Sequence, residues 1–194
     1  MTAPHLQPIP GPAAGFAASL RAALPVLRTE RCILRAPVLE DAPFWISIMV
    51  PDAEGHLGGP HTEAEAFTEF AAYAGGWLLR GHGLWTVTDH ADRVLGFVVV
   101  GLEPGDQLPE LGWLFLPQAR GQGLATEAAA AARDHALRAF GLTDLVSYID
   151  PSNAPSRRVA ERLGARLDGT ITDPGSDTWA EIWRHAPTSA ETAQ

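Results

Sequence analysis

The chain has 194 residues, 46% of them hydrophobic, and a formal net charge of −9 at pH 7. This length predicts one domain with tails, and the acidic charge excludes a general nucleic-acid binder, which would be basic. A single cysteine, Cys32, excludes an internal disulfide and favours a cytoplasmic location. No run of about 18 apolar residues and no early positive charge is present, so neither a membrane span nor a signal peptide is predicted.

The first half of the chain is predicted to hold an extension, a strand and two helices. Residues 1–25 are rich in Ala and Pro, and we expect them to form an extension, either loosely packed or disordered, with one short helix at most over 16–24. The domain is assigned to residues 26–185. A strand is predicted over 31–36, where Cys32 is expected to be a core side chain, and a helix over 39–49. Glycines and a proline predict a loop over 52–61, and the capping box of Thr62 and Glu65 begins a helix that runs to about Tyr73.

The second half is predicted to alternate strands and helices. Strands are expected over 83–89, 94–101 and 111–116, and the second is apolar on both faces, which indicates a central position. An Ala-rich helix follows over 124–140 and is ended by Gly141. A strand over 145–149, a helix from Pro155 to Gly164, and strands over 166–172 and 179–185 precede a polar tail at 186–194.

The order of these elements predicts the fold class. It is β-α-α-β-β-β-α-β-α-β-β, which favours an α/β fold with one mixed sheet and helices on both faces. An exposed edge such as residues 179–185 is a candidate for pairing two copies in a homodimer.

A glycine-containing loop at residues 118–123 joins the apolar strand to the Ala-rich helix. Gly121 and Gly123 allow a sharp turn, and the first N–H groups of the helix, together with its macrodipole, favour an anion. A Walker loop is a poor match because Leu124 and Ala125 follow the glycines, and a dinucleotide fingerprint lacks its third glycine at Thr126. The residues alone therefore leave a phosphate-binding loop and an ordinary turn before a surface helix about equally open.

The spacing of this loop resembles a known family signature. Gln118-x-x-Gly121-x-Gly123 is similar to the Gln/Arg-x-x-Gly-x-Gly/Ala motif of the Gcn5-related N-acetyltransferase (GNAT) superfamily. The sequence Glu-Leu-Gly-Trp at 110–113 resembles the Glu-Ile-Gly-Tyr of the branch that acetylates ribosomal-protein N-termini (RimJ/RimL-like). Asn153-x-x-Ser156 and the Leu-Gly-Ala at 163–165 resemble that branch's Asn-x-x-Ser and Leu-Gly-Phe/Ala, and residues 27–35 resemble its opening strand.

The resemblance implies a GNAT-type acyl-CoA N-acyltransferase fold with acetyl-CoA as the acetyl donor. In the family, backbone N–H groups of this loop hold the pyrophosphate, and the pantetheine arm pairs with the strand edge, here at Phe115 and Leu116. Asn153 contacts the CoA arm and is also expected to cap its helix. The cofactor-binding residues implied in this way are Phe115, Leu116, Gln118, Arg120, Gly121, Gln122, Gly123, Leu124, Ala125, Asn153 and Ser156.

Catalytic roles are assigned by the chemistry of acetyl transfer together with the resemblance. The amine must lose a proton, the thioester carbonyl must be polarised, and the thiolate must leave. Glu110 is the candidate base, with Glu103 as fallback, and a histidine of the acceptor loop, His56 or His61, is a candidate proton relay. Ser156 is the candidate acid for the thiolate, with Tyr148 as the alternative. No metal is predicted, because no metal-ligand spacing such as His-Glu-x-x-His occurs.

The predicted function is transfer of an acetyl group from acetyl-CoA to a primary amine by direct attack in a ternary complex. The acceptor is left open between a small amine and a protein or peptide N-terminus, with no nucleic-acid or membrane partner. The alternative is a catalytically silent CoA-binding module of the same fold, because a fold does not prove a function.

Overall fold

The structure is a computed structural model that describes residues 3–52, 55–172 and 179–186. Within these residues the strands are β1 (Leu27–Arg28), β2 (Ile33–Arg35), β3 (Leu84–Thr88), β4 (Val94–Gly101), β5 (Glu110–Phe115), β6 (Leu145–Ile149), β7 (Arg166–Thr172) and β8 (Trp179–His185). The α-helices are α1 (Pro12–Ala22), α2 (Ala42–Met49), α3 (Glu63–Arg80), α4 (Leu124–Ala139) and α5 (Ala154–Arg162). Short 3-10 turns lie at Pro4–Leu6, Leu39–Asp41 and Pro117–Ala119.

The strands form one mixed sheet in the order β1-β2-β3-β4-β5-β6-β8-β7. All neighbours are antiparallel except β5 and β6, which are parallel. This confirms the predicted α/β class and the central place of β4, whose last six residues are buried. Of the helices in the described ranges, none combines the length and apolar character needed to cross a bilayer.

Three hydrophobic clusters of the described residues lie on the sheet, the third of them around Ile149, Ala160 and Trp183. The first packs α4 against the sheet through alanines that are fully buried, among them Ala128, Ala129 and Ala132. The second packs α2 and α3 against Leu84, Phe97 and Val99. Small side chains let α4 approach closely, so its N-terminus is held firmly at the end of β5.

Helix α3 is two turns longer than predicted. The capping box is present as expected, with the Thr62 side chain accepting from Glu65 N at 3.2 Å. The helix continues past Tyr73 because packing outweighs the low helix propensity of Gly75 and Gly76. A Cβ at Gly76 would lie 2.9 Å from the His82 carbonyl oxygen, so glycine allows the helix to lie against this turn.

The N-terminal extension is attached to the domain at both ends. Leu6 packs on the second core, and the Pro25 carbonyl accepts a bond of 3.0 Å from Trp85 Nε1. Helix α1 begins at Pro12, earlier than predicted, because proline fits the first helical turn. No side chain of α1 is buried. Of the predicted polar tail, only Ala186 is among the described residues.

The suggestion that residues 179–185 form a free edge is wrong. Strand β8 is bonded to β6 on one side and to β7 on the other. The last strand in sequence is inserted between two earlier ones, so its backbone groups are already paired. The edge at this end of the sheet is β7.

Candidate active site

The two parallel strands separate almost at once. Within the described residues, strands β5 and β6 are in register only at Glu110 and Val146, and beyond this point β5 has no strand partner on that side. Ser147 fixes the point of separation, since its Oγ donates to the Leu111 carbonyl at 2.5 Å and lies 2.9 Å from His185 Nε2. The gap between the strands opens into two cavities, each of about 670 Å³.

The first cavity, which we name the acidic cavity, lies beside Glu110. Its wall carries carboxylates from several elements: Glu69, Glu103, Asp106, Glu110 and Asp150. Among the described residues no arginine lines it, and the chain contains no lysine. Trp45, Met49 and Val99 add apolar surface. Such a cavity favours a ligand that is cationic in part and apolar in part.

The second cavity, which we name the basic cavity, lies at the N-terminus of α4. Arg120 reaches it from the glycine loop, and Arg158 and Arg162 reach it from α5. Asp52 is a carboxylate in its wall, and its Oδ2 is engaged by Leu57 N at 2.8 Å. The arginines and the helix N-terminus together favour an anionic ligand.

The cavities share a wall, which is where two ligands would meet. The residues common to both are His56, Leu57, Trp113, Leu114, Asn153 and Ser156. The structure therefore brings the predicted Ser156 and Asn153 to the junction, and Glu110 to the acidic side of it. A group carried by an anionic molecule can reach a nucleophile held on the other side without crossing bulk solvent.

Glu110 is held in an environment that favours its protonated form. Burial, and then the nearby carboxylates of Glu103 and Asp106, raise the pKa of Glu110 to about 8. Its Oε1 lies 3.5 Å from Tyr148 N. Gly112, two residues along the same face of β5, has no side chain to cover the carboxylate, and a Cβ there would lie 2.8 Å from Val99 Cγ1. A carboxyl with a pKa near physiological pH is suited to take a proton from an amine.

A second carboxyl of the acidic cavity is perturbed in the same direction. Burial, followed by the charge of Glu103, raises the pKa of Glu69 to about 7, while His61 opposes the shift. Glu103 itself has a raised pKa because of burial and Asp106. Its carboxylate accepts a hydrogen bond from the Tyr73 hydroxyl, which makes it less available as the base than Glu110.

The glycine loop has the geometry expected for an anion site. Gly121 and Gly123 both adopt left-handed conformations, with φ of 74° and 78°. Within the described part of the chain, the N–H groups of residues 121–126 form no backbone hydrogen bond outside the helix. The Thr126 hydroxyl lies in the wall of the basic cavity and has no partner among the described residues. These donors fit the oxygens of a phosphate.

Some residues assigned to this site support the loop rather than line the cavity. Gln122 Nε2 donates to the Gln118 carbonyl at 2.8 Å, which closes the loop on itself, and neither side chain is part of the cavity wall. Arg120, Gly121, Gly123, Leu124 and Ala125 do line it. Arg120 also donates from Nε to the Phe115 carbonyl at 2.9 Å.

The assignment of Leu116 to the open strand edge is wrong. Its N–H donates to the Leu95 carbonyl and its own carbonyl accepts from Ala119 N, so both groups are used. Alternate residues of a strand present their backbone groups to opposite sides, so Trp113 and Phe115 face the gap. Both line the basic cavity. The edge available for an extended ligand therefore includes Phe115, as predicted, and Trp113 in place of Leu116.

The remaining candidates lie near the junction. Asn153 caps α5 as predicted, accepting from Ser156 N at 3.1 Å. His56 Nε2 lies 2.9 Å from Ser152 Oγ, and His61 Nε2 lies 2.9 Å from the Leu57 carbonyl. Both histidines line the acidic cavity, as does Tyr148, whose hydroxyl accepts from Leu108 N at 3.3 Å.

Several residues that line the cavities were missed in the sequence analysis. Glu69 lies on the part of α3 that faces the cavity, four residues after the capping box that did mark its helix. Arg158 and Arg162 are spaced by one helical turn on α5, which is a readable sign of a shared face. Trp45 belongs to the cavity only because α2 packs beside Tyr73, with ring centroids 5.7 Å apart.

Comparisons with known proteins agree with this geometry. A family model described as an acetyltransferase (GNAT) domain matches residues 31–166. The chain is 30% identical over 95 residues to the uncharacterized N-acetyltransferase YnaD of Bacillus subtilis, which covers 47% of this chain and 56% of that protein. The match thus spans about half the length of this curated relative.

Solved structures share the fold. An acetyltransferase from Agrobacterium tumefaciens is 32% identical, with a TM-score of 0.77 over 84% of this chain and 95% of that chain. RimL, a ribosomal L7/L12 alpha-N-protein acetyltransferase solved with coenzyme A, is 16% identical, with a TM-score of 0.68 over 84% and 98% of the two chains. The family match contains β2 to β6, the whole lining of the basic cavity and most of the lining of the acidic cavity, and the chain belongs to the GNAT acetyltransferase family.

Proposed function

We propose that this protein is an N-acetyltransferase that uses acetyl-CoA and acetylates a primary amine by direct attack in a ternary complex. The observation that supports the proposal most strongly is the pair of cavities of opposite charge that meet at β5. An anionic acetyl donor fits the basic cavity, and a cationic amine fits the acidic one.

The residues present fit acetyl-CoA. The N–H groups of residues 121–126 and the Thr126 hydroxyl would bind its pyrophosphate, and Arg158 and Arg162 would add positive charge. The backbone groups of Trp113 and the N–H of Phe115 lie on the open side of β5 and would pair with an extended arm, while the Phe115 carbonyl already accepts from Arg120. When bound, acetyl-CoA supplies an acetyl group activated as a thioester.

Glu110 and Ser156 then act on the two partners of the transfer. Glu110 takes the proton from the amine, whose nitrogen forms a bond to the thioester carbon as the carbon–sulfur bond breaks. An N–H of β5 on the open side, at Trp113 or Phe115, stabilises the developing oxyanion. Ser156, at the junction of the cavities, protonates the leaving thiolate. The proton held by Glu110 passes to solvent, and Ser156 takes a proton back from solvent, so both residues return to their starting states.

Steady-state release of CoA with an amine acceptor tests this assignment. We expect Glu110→Gln to lower kcat by about 10² to 10⁴, because a general base contributes this range, and to leave the KM for acetyl-CoA nearly unchanged. Glu161→Gln, an exposed carboxylate on α5, is the matched control and should keep wild-type rates. The chain has no lysine, so no lysine amine of its own competes as acceptor.

The outcomes separate the two functions under consideration. An unchanged kcat in Glu110→Gln would remove that residue from the mechanism. Acetyl-CoA binding without turnover of any amine in a panel would favour the catalytically silent module of the same fold.

A further inference from the structure

We infer that the acceptor is a small amine with a second cationic group, bound at Glu69 and Glu103 while its reacting nitrogen lies at Glu110. The inference rests on the proposed function, because it names the substrate class of the same site.

The first observation is that the carboxylates of the acidic cavity act on one another. Glu103 lies close enough to both Glu69 and Glu110 to raise the pKa of each. The three side chains come from α3, from the connection between β4 and β5, and from β5, so the fold brings together like charges that destabilise one another. A bound cation relieves this repulsion.

The second observation concerns how many charges the ligand needs. The reacting nitrogen must be neutral when it attacks, so it cannot compensate the cluster during the reaction. Within the described residues, the cavity wall holds no arginine that would do so. A second ammonium or guanidinium group on the acceptor would remain charged throughout and pair with Glu69 and Glu103.

The third observation is an unpaired donor in the same cavity. Trp45 is fully buried and forms part of the wall, and its Nε1 has no hydrogen-bond partner among the described residues. A buried N–H without a partner costs free energy, which a hydroxyl or carbonyl oxygen of the ligand would recover. Tyr73, which is half-buried and packs beside Trp45, also offers aromatic surface to a cation.

The volume of about 670 Å³ is that of a small-molecule site. A short amine with a second cationic group and a polar oxygen satisfies the charge, the unpaired donor and the size together. A peptide N-terminus carries a second positive charge near its amine only if the peptide has a basic residue there, so peptides as a class do not meet this requirement.

Isothermal titration of the protein saturated with CoA tests the inference without turnover. The probes are propylamine, 1,3-diaminopropane and 1,3-diamino-2-propanol, near neutral pH. We expect the diamine to bind about tenfold more tightly than the monoamine, the difference made by one charge-assisted hydrogen bond. The hydroxyl compound should bind at least as tightly as the diamine.

Two further measurements show whether the preference for the diamine arises at Glu69: variants, and the number of protons released on binding. Glu69→Gln should remove most of the preference for the diamine, and Glu63→Gln, an exposed carboxylate on the same helix, should keep it. Titrations in two buffers of different ionisation enthalpy should show proton release, because a cation favours the charged carboxylates. The titratable side chains that face the cavity are Glu69, Tyr73, Glu103, Asp106, Glu110, His56, His61, Tyr148 and Asp150.

The result that overturns the inference differs from the result that overturns the function. Equal affinity for monoamine and diamine, a preference unaffected by Glu69→Gln, or better binding of a peptide with a neutral first residue would overturn the inference. Turnover of propylamine with acetyl-CoA on the same preparation would then leave the proposed function standing. Failure to bind CoA at all would overturn both.

Discussion

Glu110 combines three properties that come from different parts of the chain. It opens β5, it is partly buried by the elements around the acidic cavity, and it lies near Glu103 and Asp106. Burial and like charges both oppose ionisation, so most of the carboxyl is protonated near neutral pH. Because the pKa is close to that pH, the group can still lose and regain its proton.

This environment predicts a pH dependence of stability. The pKa of Glu110 is about 8 in the folded state, against 4.5 for an ordinary glutamate, so the folded state binds the proton more tightly between these limits. Stability from this group is therefore present below the lower value and is lost as pH rises toward the higher one. Glu110→Gln lacks this pH-dependent contribution. The free energy of unfolding of the variant minus that of wild type, measured with denaturant, should therefore rise by roughly 3–5 kcal/mol between about pH 5 and pH 9.

The control for this measurement is Glu161→Gln, which is exposed and should follow the wild-type curve. A constant difference between Glu110→Gln and wild type across the pH range would contradict the account of the buried carboxyl.

The sequence predicted site residues that belong to short motifs better than residues that reach the site through helix packing. Ser156, Asn153 and Glu110 follow from short patterns, and the structure places them at or beside the junction. Glu69 and Trp45 lie on α3 and α2, far away in sequence, and local spacing contains no information about which cavity they face. Leu116 was placed on the open edge by the family resemblance, and the sequence does not tell which backbone groups of β5 are used by β4.

At the level of elements, the hairpin of β1 and β2 holds the glycine loop in place through hydrogen bonds from the turn between the two strands. Arg31 donates from Nη1 to the Gln122 carbonyl at 2.8 Å and from Nε to Glu127 Oε2 at 2.6 Å. Glu127 Oε1 also accepts from Thr29 Oγ1 and from Arg31 N. The guanidinium both fixes the loop and offsets a carboxylate in the first turn of α4, near the proposed phosphate site.

Removing this support should weaken acetyl-CoA binding more than chemistry. We expect Arg31→Ala to raise the KM for acetyl-CoA about tenfold, equivalent to about 1.4 kcal/mol, with kcat within about twofold of wild type. The control is Arg28→Ala, exposed on β1 of the same hairpin. A drop in kcat at unchanged KM would mean that Arg31 does not act through the loop.

Element boundaries show where sequence patterns are informative. Helix α4 was predicted well because alanine propensity, Gly123 and Gly141 agree with its packing. The prediction for α3 was too short because the glycines have a low helix propensity, whereas packing against the domain keeps these residues helical. The position of β8 between β6 and β7 was not predictable, because strand order depends on the three-dimensional path of the chain.

For the whole molecule, charge is distributed in a way that the net value of −9 does not reveal. Carboxylates are gathered in one cavity and arginines in the other, on the two sides of the junction at Trp113 and Ser156. This arrangement favours an anionic donor on one side and a cationic acceptor on the other, and it reduces binding in the wrong cavity.

The measurement that tests this account most directly is thermal unfolding with and without acetyl-CoA, with ATP and NAD as controls. A ligand at about 100 times its Kd adds about 2.7 kcal/mol to stability, which for a chain of this size raises Tm by roughly 5–10 °C. The account predicts this rise with acetyl-CoA and none with the two controls. No rise at saturating acetyl-CoA, or an equal rise with ATP or NAD, would contradict it.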